Sequence, residues 1–162
     1  MTETIVRAIE GGAINTFVMS TFWLWPLLEI IHFVGLSLLL GSMLIVDLRL
    51  AGLLRQIDLR DLHRLLPWSA IGFGMNLVSG TLFFFGDPGR YSINIGFQLK
   101  MILVLVAGLN MLVFAFKIKP LLGGWDPHGD TSAPAKAVAW VSLAVWTGVM
   151  LLGRLIPYIG TG

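Results

Sequence analysis

Cysteine is absent from this chain of 162 residues, and charge is scarce, with Asp, Glu, Lys and Arg together making up 12%. The first absence excludes disulfides, thiolate metal sites and thiol nucleophiles, leaving His, Met and carboxylates as ligands. The second excludes an ordinary water-soluble domain, because hydrophobic residues reach 56% and mean hydropathy is +0.84. Also missing are a glycine-rich phosphate loop, a Gly-x-Ser-x-Gly elbow and a His-Glu-x-x-His zinc helix. The net charge of +2 comes from loop arginines and lysines, a pattern of membrane topology with no nucleic-acid signal.

What the chain has instead is four long apolar runs, at 22–46, 65–86, 97–118 and 134–157. Each holds about 20 residues or more, enough at about 1.5 Å per residue to cross about 30 Å of hydrocarbon, where only a helix satisfies its own backbone. The expected fold is all-α: an integral-membrane four-helix bundle forming one domain over residues 1–162. Residues 1–20 set Ile5, Val6 and Ile9 against Glu3, Arg7 and Glu10, which predicts a short amphipathic helix on the membrane interface, broken at Gly11-Gly12. Those acids and the full-length run that follows fit a cleavable signal peptide poorly.

Arg49, Arg55, Arg60, Arg64, Lys117, Lys119 and Lys136 flank the first and third connections, against Arg7, Arg90, Lys100 and Arg154 towards the other side. The excess predicts cytoplasmic placement of the first set, with both termini outside. Trp23, Trp25 and Trp68 suit interfacial belts, and Gly86-Asp87-Pro88-Gly89 and the segment 123–130 carry turn chemistry.

Within hydrocarbon the informative coordinate is depth. Glu29 and His32 are three residues apart, hence on one helix face, roughly 10 and 15 Å below the outer edge. The predicted topology adds Lys100 from the third helix and Arg154 from the fourth to that outer half. A polar pocket of Glu29, His32, Lys100 and Arg154 is therefore expected, since ionisable groups in hydrocarbon mark a buried partner or a function. In its sharpest form the pocket holds a b-type haem, with neutral His32 as the metal ligand and Lys100 or Arg154 meeting the propionates. A second axial ligand would be absent, or come from a methionine such as Met101, or from a neighbouring subunit. The plain alternative is a non-catalytic subunit in which Glu29 pairs with Lys100 or Arg154, the basic chains snorkel, and His32 bonds a backbone carbonyl.

Asp47 lies 18 residues beyond Glu29 on the same face. The two could line a path for protons, copper or a small solute, or Asp47 could simply pair with an arginine at the boundary, the preferred expectation. His63 and His128 are expected to be solvated, and Gly72, Asn76 and Gly80, like Asn110 with Ala107, to mark helix packing. One Glu-x-x-His copy, at Glu29 and His32, falls short of the two that a di-iron bundle needs. Scattered methionines lend little to a copper relay.

The stretch Trp23-Leu24-Trp25-Pro26-Leu27-Leu28-Glu29-Ile30-Ile31-His32-Phe33-Val34-Gly35, continuing through Gly41 to Asp47-Leu48-Arg49-Leu50-Ala51-Gly52, resembles an uncharacterised family of small bacterial four-helix inner-membrane proteins. Leu66-Pro67-Trp68 with Gly72-Phe73, and Lys100 with Ala107-Gly108-Leu109-Asn110, are similar to that family too. More distantly, a first-helix histidine with spaced glycines and a lysine opening a later helix is similar to integral-membrane protoporphyrinogen oxidases and to copper-resistance D-type membrane domains. The former resemblance implies haem b on His32 with assistance from Lys100, the latter copper handling. The bis-histidine pattern of membrane dihaem cytochromes is not met. The expected partners are the lipid bilayer and either subunits of a larger membrane complex or further copies of this chain.

Overall fold

A computed structural model describes residues 2–124, 126 and 129–159. Seven α-helices follow in chain order: α1 (Thr2–Ile9), α2 (Ala13–Ser20), α3 (Leu24–Leu50), α4 (Leu66–Gly86), α5 (Pro88–Ile93), α6 (Ile95–Val113) and α7 (Ala133–Leu155). A 3-10 helix, Leu59–Arg64, precedes α4, and α6 runs on through a π-helical turn, Phe114–Ile118, into a second 3-10 segment, Lys119–Gly124. Four of these rods, beginning at Leu24, Leu59, Ile95 and Ala133, are long and apolar enough to cross a membrane. The fold is all-α and consistent with a four-helix bundle, with no strand among the described residues. Large apolar side chains project from the spans, Phe33 at 65% and Leu105 at 69% exposure, as a lipid-facing surface requires.

The tightest pairing is between α3 and α4, and its pattern is heptad-like. Leu28, His32, Gly35, Leu39, Ser42 and Val46 on α3 are spaced alternately by four and three residues, as are Ser69, Gly72, Asn76, Ser79, Phe83 and Gly86 on α4. That spacing keeps one seam facing its partner along the length of a helix. In lipid there is no hydrophobic drive between helices, so close packing of small residues has to hold them together. Gly35 and Gly72 supply the closest approach. A Cβ on Gly72 would lie 2.5 Å from the Gly35 carbonyl oxygen and 2.6 Å from the Leu39 nitrogen, both backbone atoms that cannot swing aside.

Around the ring α3 next meets α7, and α7 meets α6. The α6–α7 pair is joined by Asn110, whose Nδ2 donates to the Val138 carbonyl at 3.0 Å. Between α4 and α6 the walls stand apart over an interior cavity and meet at one end, where Phe84 stacks on Phe97 at 5.8 Å.

Each end of the bundle is tied by a different chemistry. At the end bearing α5, two asparagines do the same work twice. Asn15 accepts from Gly11 N (3.1 Å) and donates to the Phe85 and Gly86 carbonyls that end α4 (2.8 and 3.0 Å). Asn94 caps α6 by accepting from Phe97 N (3.0 Å) and donates to the Ile156 and Ile159 carbonyls just beyond α7. Both satisfy carbonyls that a helix C-terminus otherwise leaves orphaned. The expected break at Gly11-Gly12 falls between α1 and α2, and Val18 of the second is buried in a cluster with Leu24 and Leu28. The positive φ of Gly11 (76°) lets the chain turn between them.

At the opposite end Arg49 is fully buried rather than a solvated topology signal. Its Nε donates to the Ile57 carbonyl (2.6 Å) and an Nη to the Gly129 carbonyl (3.1 Å), so one guanidinium fastens both connections to α3. An apolar cluster that includes Leu50, Leu59, Leu62, Phe114, Ile118 and Leu122 fills the same end. Asp130 pairs with Lys136 (2.8 Å) and Arg55 (3.5 Å) on the surface. Of the predicted belt, Trp23 and Trp68 are exposed, whereas Trp25 packs on Phe83. His63 is exposed, and His128 lies outside the described residues.

Two predictions follow from these ties. Gly72→Val separates α3 from α4 at a cost of about 1–3 kcal/mol, whereas Gly74→Val, with open space around its Cβ, leaves the melting temperature of the detergent-purified protein almost unchanged. Equal melting of the two variants would remove the backbone contact from its central place. The Lys136 hydrogen bond, then the Thr131 amide, hold the Asp130 carboxyl below the usual carboxylate range. Their contribution is therefore present above about pH 4 and lost as pH falls through the lowered pKa. Protection factors of the 129–132 amides, corrected for the intrinsic pH dependence of exchange, should fall on acidification in wild type and stay constant in Asp130→Asn.

Candidate functional site

The ionisable and polar groups of the interior fall into two compartments on either side of the Gly35–Gly72 contact. The outer one is built on His32. Its Nδ1 lies 2.8 Å from Ser79 Oγ, and Ser79 Oγ lies 2.6 Å from the Met75 carbonyl oxygen, which can only accept. The hydroxyl has a single proton, so both contacts are satisfied when Ser79 donates to Met75 and His32 donates from Nδ1. Nε2 of the neutral ring then carries the lone pair. Phe83 meets the ring edge-on at 5.7 Å, and Gly80 leaves room beside Cε1.

Of the four residues expected to gather here, two lie away from His32. Lys100 of α6 is half-buried against Gly153 of α7. Glu29 is exposed and makes no ion pair among the described residues, because α3 turns it away from the seam that buries His32. Arg154 is exposed too, and its guanidinium rests over the Tyr158 ring at 5.5 Å. The expected pairing of Glu29 with Lys100 or Arg154 is not formed. Met101 faces outward at 39% exposure.

The inner compartment is the better built. Asp47 is 3% exposed, deep in the α3–α7 contact. The expected boundary ion pair is absent: Arg49, two residues on, reaches the Ile57 and Gly129 carbonyls, and no described cation pairs with Asp47. Ser142 reaches towards its carboxylate from α7, but Ser142 Oγ is buried short of ordinary hydrogen-bond geometry. Nearby, Ser42 and Ser69 share a hydrogen bond of 2.6 Å across the α3–α4 seam.

Two cavities meet at this carboxylate. One, of about 240 Å³, lies inside the bundle and is lined by residues including Met43, Asp47, Ser69, Phe73, Asn110, Ser142 and Trp146. The other, of about 190 Å³, lies between α3 and α7 and shares Met43, Asp47 and Trp146. Asp47 is the one ionisable residue among those lining either cavity. No described group of three or more His, Asp or Glu side chains is arranged to hold a metal ion.

An uncompensated carboxyl in a span costs several kcal/mol and is held against that cost by its surroundings or its use. Here the hydroxyls around it can donate to the ionised form or accept from the protonated one, so the site accommodates both states of a proton. Ser42, Ser69, Ser142 and Trp146 were not among the residues expected at a site. For Ser42 and Ser69 the signal was the four-three spacing shared with Gly35 and Gly72; Ser142 and Trp146 lie in an apolar run with nothing to single them out.

No family model, curated protein or solved structure matches this chain.

If Asp47 is kept for use rather than for stability, replacing it with an apolar side chain should not weaken the bundle. Asp47→Leu, which the adjoining cavities can hold, is expected to raise stability by about 1–2 kcal/mol, measured as melting temperature in detergent. A pronounced fall would make Asp47 a structural residue.

Proposed function

We propose that this protein is a membrane-embedded proton-exchange module in which Asp47 takes up and releases the proton. The observation that carries the proposal is a buried carboxyl within a span, without a counter-charge, at the meeting point of two cavities. Ionisable groups in such positions are characteristic of proton relays and ion pathways. Glu29 lies on an exposed face, so the exchange site rests on Asp47 and the hydroxyls of Ser69 and Ser142 that line the same cavity. Towards the other end the polar groups continue through Asn76 and Ser79 to His32, but the Gly35–Gly72 backbone contact interrupts them. A proton would therefore cross only when helices shift, which is carrier behaviour rather than that of an open pore.

In proteoliposomes containing a pH-sensitive dye, an imposed potential should drive proton uptake. Asp47→Asn should slow it at least tenfold, while Glu29→Gln leaves it unchanged. Equal rates in wild type and Asp47→Asn would refute the reading.

A second reading, a redox module, is favoured by the His32 tautomer alone. An Nδ1–H anchored on Ser79 is the arrangement in which a histidine offers Nε2 to a metal. For a b-type haem, His32 would hold the iron and Lys100 would meet a propionate, with Glu29 and Arg154 uninvolved. The group would supply one-electron chemistry. A Soret band in the purified protein, lost in His32→Ala, is the expected result, and a colourless folded preparation rejects it.

A further inference from the structure

We infer that the cavity at Asp47 binds a small organic monocation of the alkylammonium class, in competition with the proton. The inference rests on the proton-exchange reading, since both ligands use the same carboxylate. It starts from what lines the cavity. Phe73 and Trp146 stand edge-to-face at 6.5 Å and present aromatic surface to the space that Asp47 enters from α3. Met43 and Met111 add polarizable thioethers, and no basic side chain is present to repel a cation. Aromatic faces attract ammonium groups through the ring quadrupole, more strongly when water is excluded, and a carboxylate supplies the counter-charge. The rest of the lining is apolar, which suits a cation clothed in methyl or ethyl groups and disfavours one that must keep a hydration shell.

Size narrows the class. About 240 Å³ falls below the range of drug-sized pockets, roughly 300–1,000 Å³, and far exceeds the space a bare ion fills. A few-carbon ammonium fits between those limits. The bundle also leaves an entry route, because α4 and α6 stand apart over this cavity, with Ser69, Ala70 and Phe73 of α4 and Val104, Ala107 and Met111 of α6 on its two sides.

The competition has a defined sign. Asp47 is the one ionisable group of the lining; Ser69, Asn110 and Ser142 face it from α4, α6 and α7; and Arg49 is committed to the loop carbonyls. His32 and Lys100 lie beyond the Gly35–Gly72 contact. Ionised Asp47 therefore binds the cation and protonated Asp47 releases it, so affinity rises with pH until the carboxyl is fully ionised.

The test is calorimetric titration of the detergent-purified protein with tetraethylammonium and choline, and with 3,3-dimethylbutan-1-ol, the uncharged isostere of choline. The expected result is binding of the cations but not the alcohol, weakening up to tenfold per pH unit on the acid side, with protons released on binding. Asp47→Asn should lose at least tenfold in affinity and Trp146→Ala about fivefold, with Trp146→Phe retaining most of it. Binding unaffected by Asp47→Asn, equal binding of the alcohol, or no binding of either cation would each overturn the inference. If cation binding is absent while Asp47-dependent proton uptake persists in proteoliposomes, the cation inference fails alone; loss of both removes the exchange site itself.

Discussion

Everything in this bundle is arranged around the place where α3 and α4 touch backbone to backbone at Gly35 and Gly72. Lipid gives helices no solvent-driven reason to associate, so contact area and hydrogen bonds must hold them. With both Cβ atoms missing, two rods approach closely enough for the seam on either side to fill with small polar side chains. His32 thereby reaches Ser79, and Ser42 reaches Ser69. Without that approach, α3 would not be held at the angle that brings Asp47 towards α7.

The same contact divides the interior. On one side lie a histidine of α3 and a lysine of α6; on the other a carboxyl shares open volume with Ser69 and Ser142. Placing the acid and the two bases in separate chambers keeps them from neutralising one another, as a direct ion pair would. The inner chamber is capped by loops gathered onto Arg49, whose burial is repaid by backbone carbonyls from both connections.

Much of the architecture was legible in residue order. Length and apolarity located the four spans, while Gly86-Asp87-Pro88-Gly89, read as a turn, proves to open the short helix α5 with Asp87 as its cap. Boundaries moved where burial replaced solvent: α3 continues to Leu50 because Arg49 and Leu50 are enclosed by loops, so charge at the end of the run did not end the helix. The candidate site was less legible. Depth along a helix can be counted from sequence, but rotation about its axis depends on neighbours, and 18 residues of spacing made Glu29 and Asp47 look equivalent when one meets solvent or lipid and the other α7. The arginine that seemed the natural partner of Asp47 was claimed by carbonyls from segments 8 and 80 residues away, a competition no local pattern reveals.

The two asparagines at the α5 end carry a mechanical consequence. Asn15 clasps the finish of α4 and Asn94 the finish of α7, both with directional bonds, while Phe84 and Phe97 stack beside them. The far end is gathered by an apolar cluster and by the Arg49 bonds to both connections. With both tips fastened, the stretch where α4 and α6 stand apart lies between them. The least braced wall of the bundle is therefore the one that closes the chamber lined by Asp47.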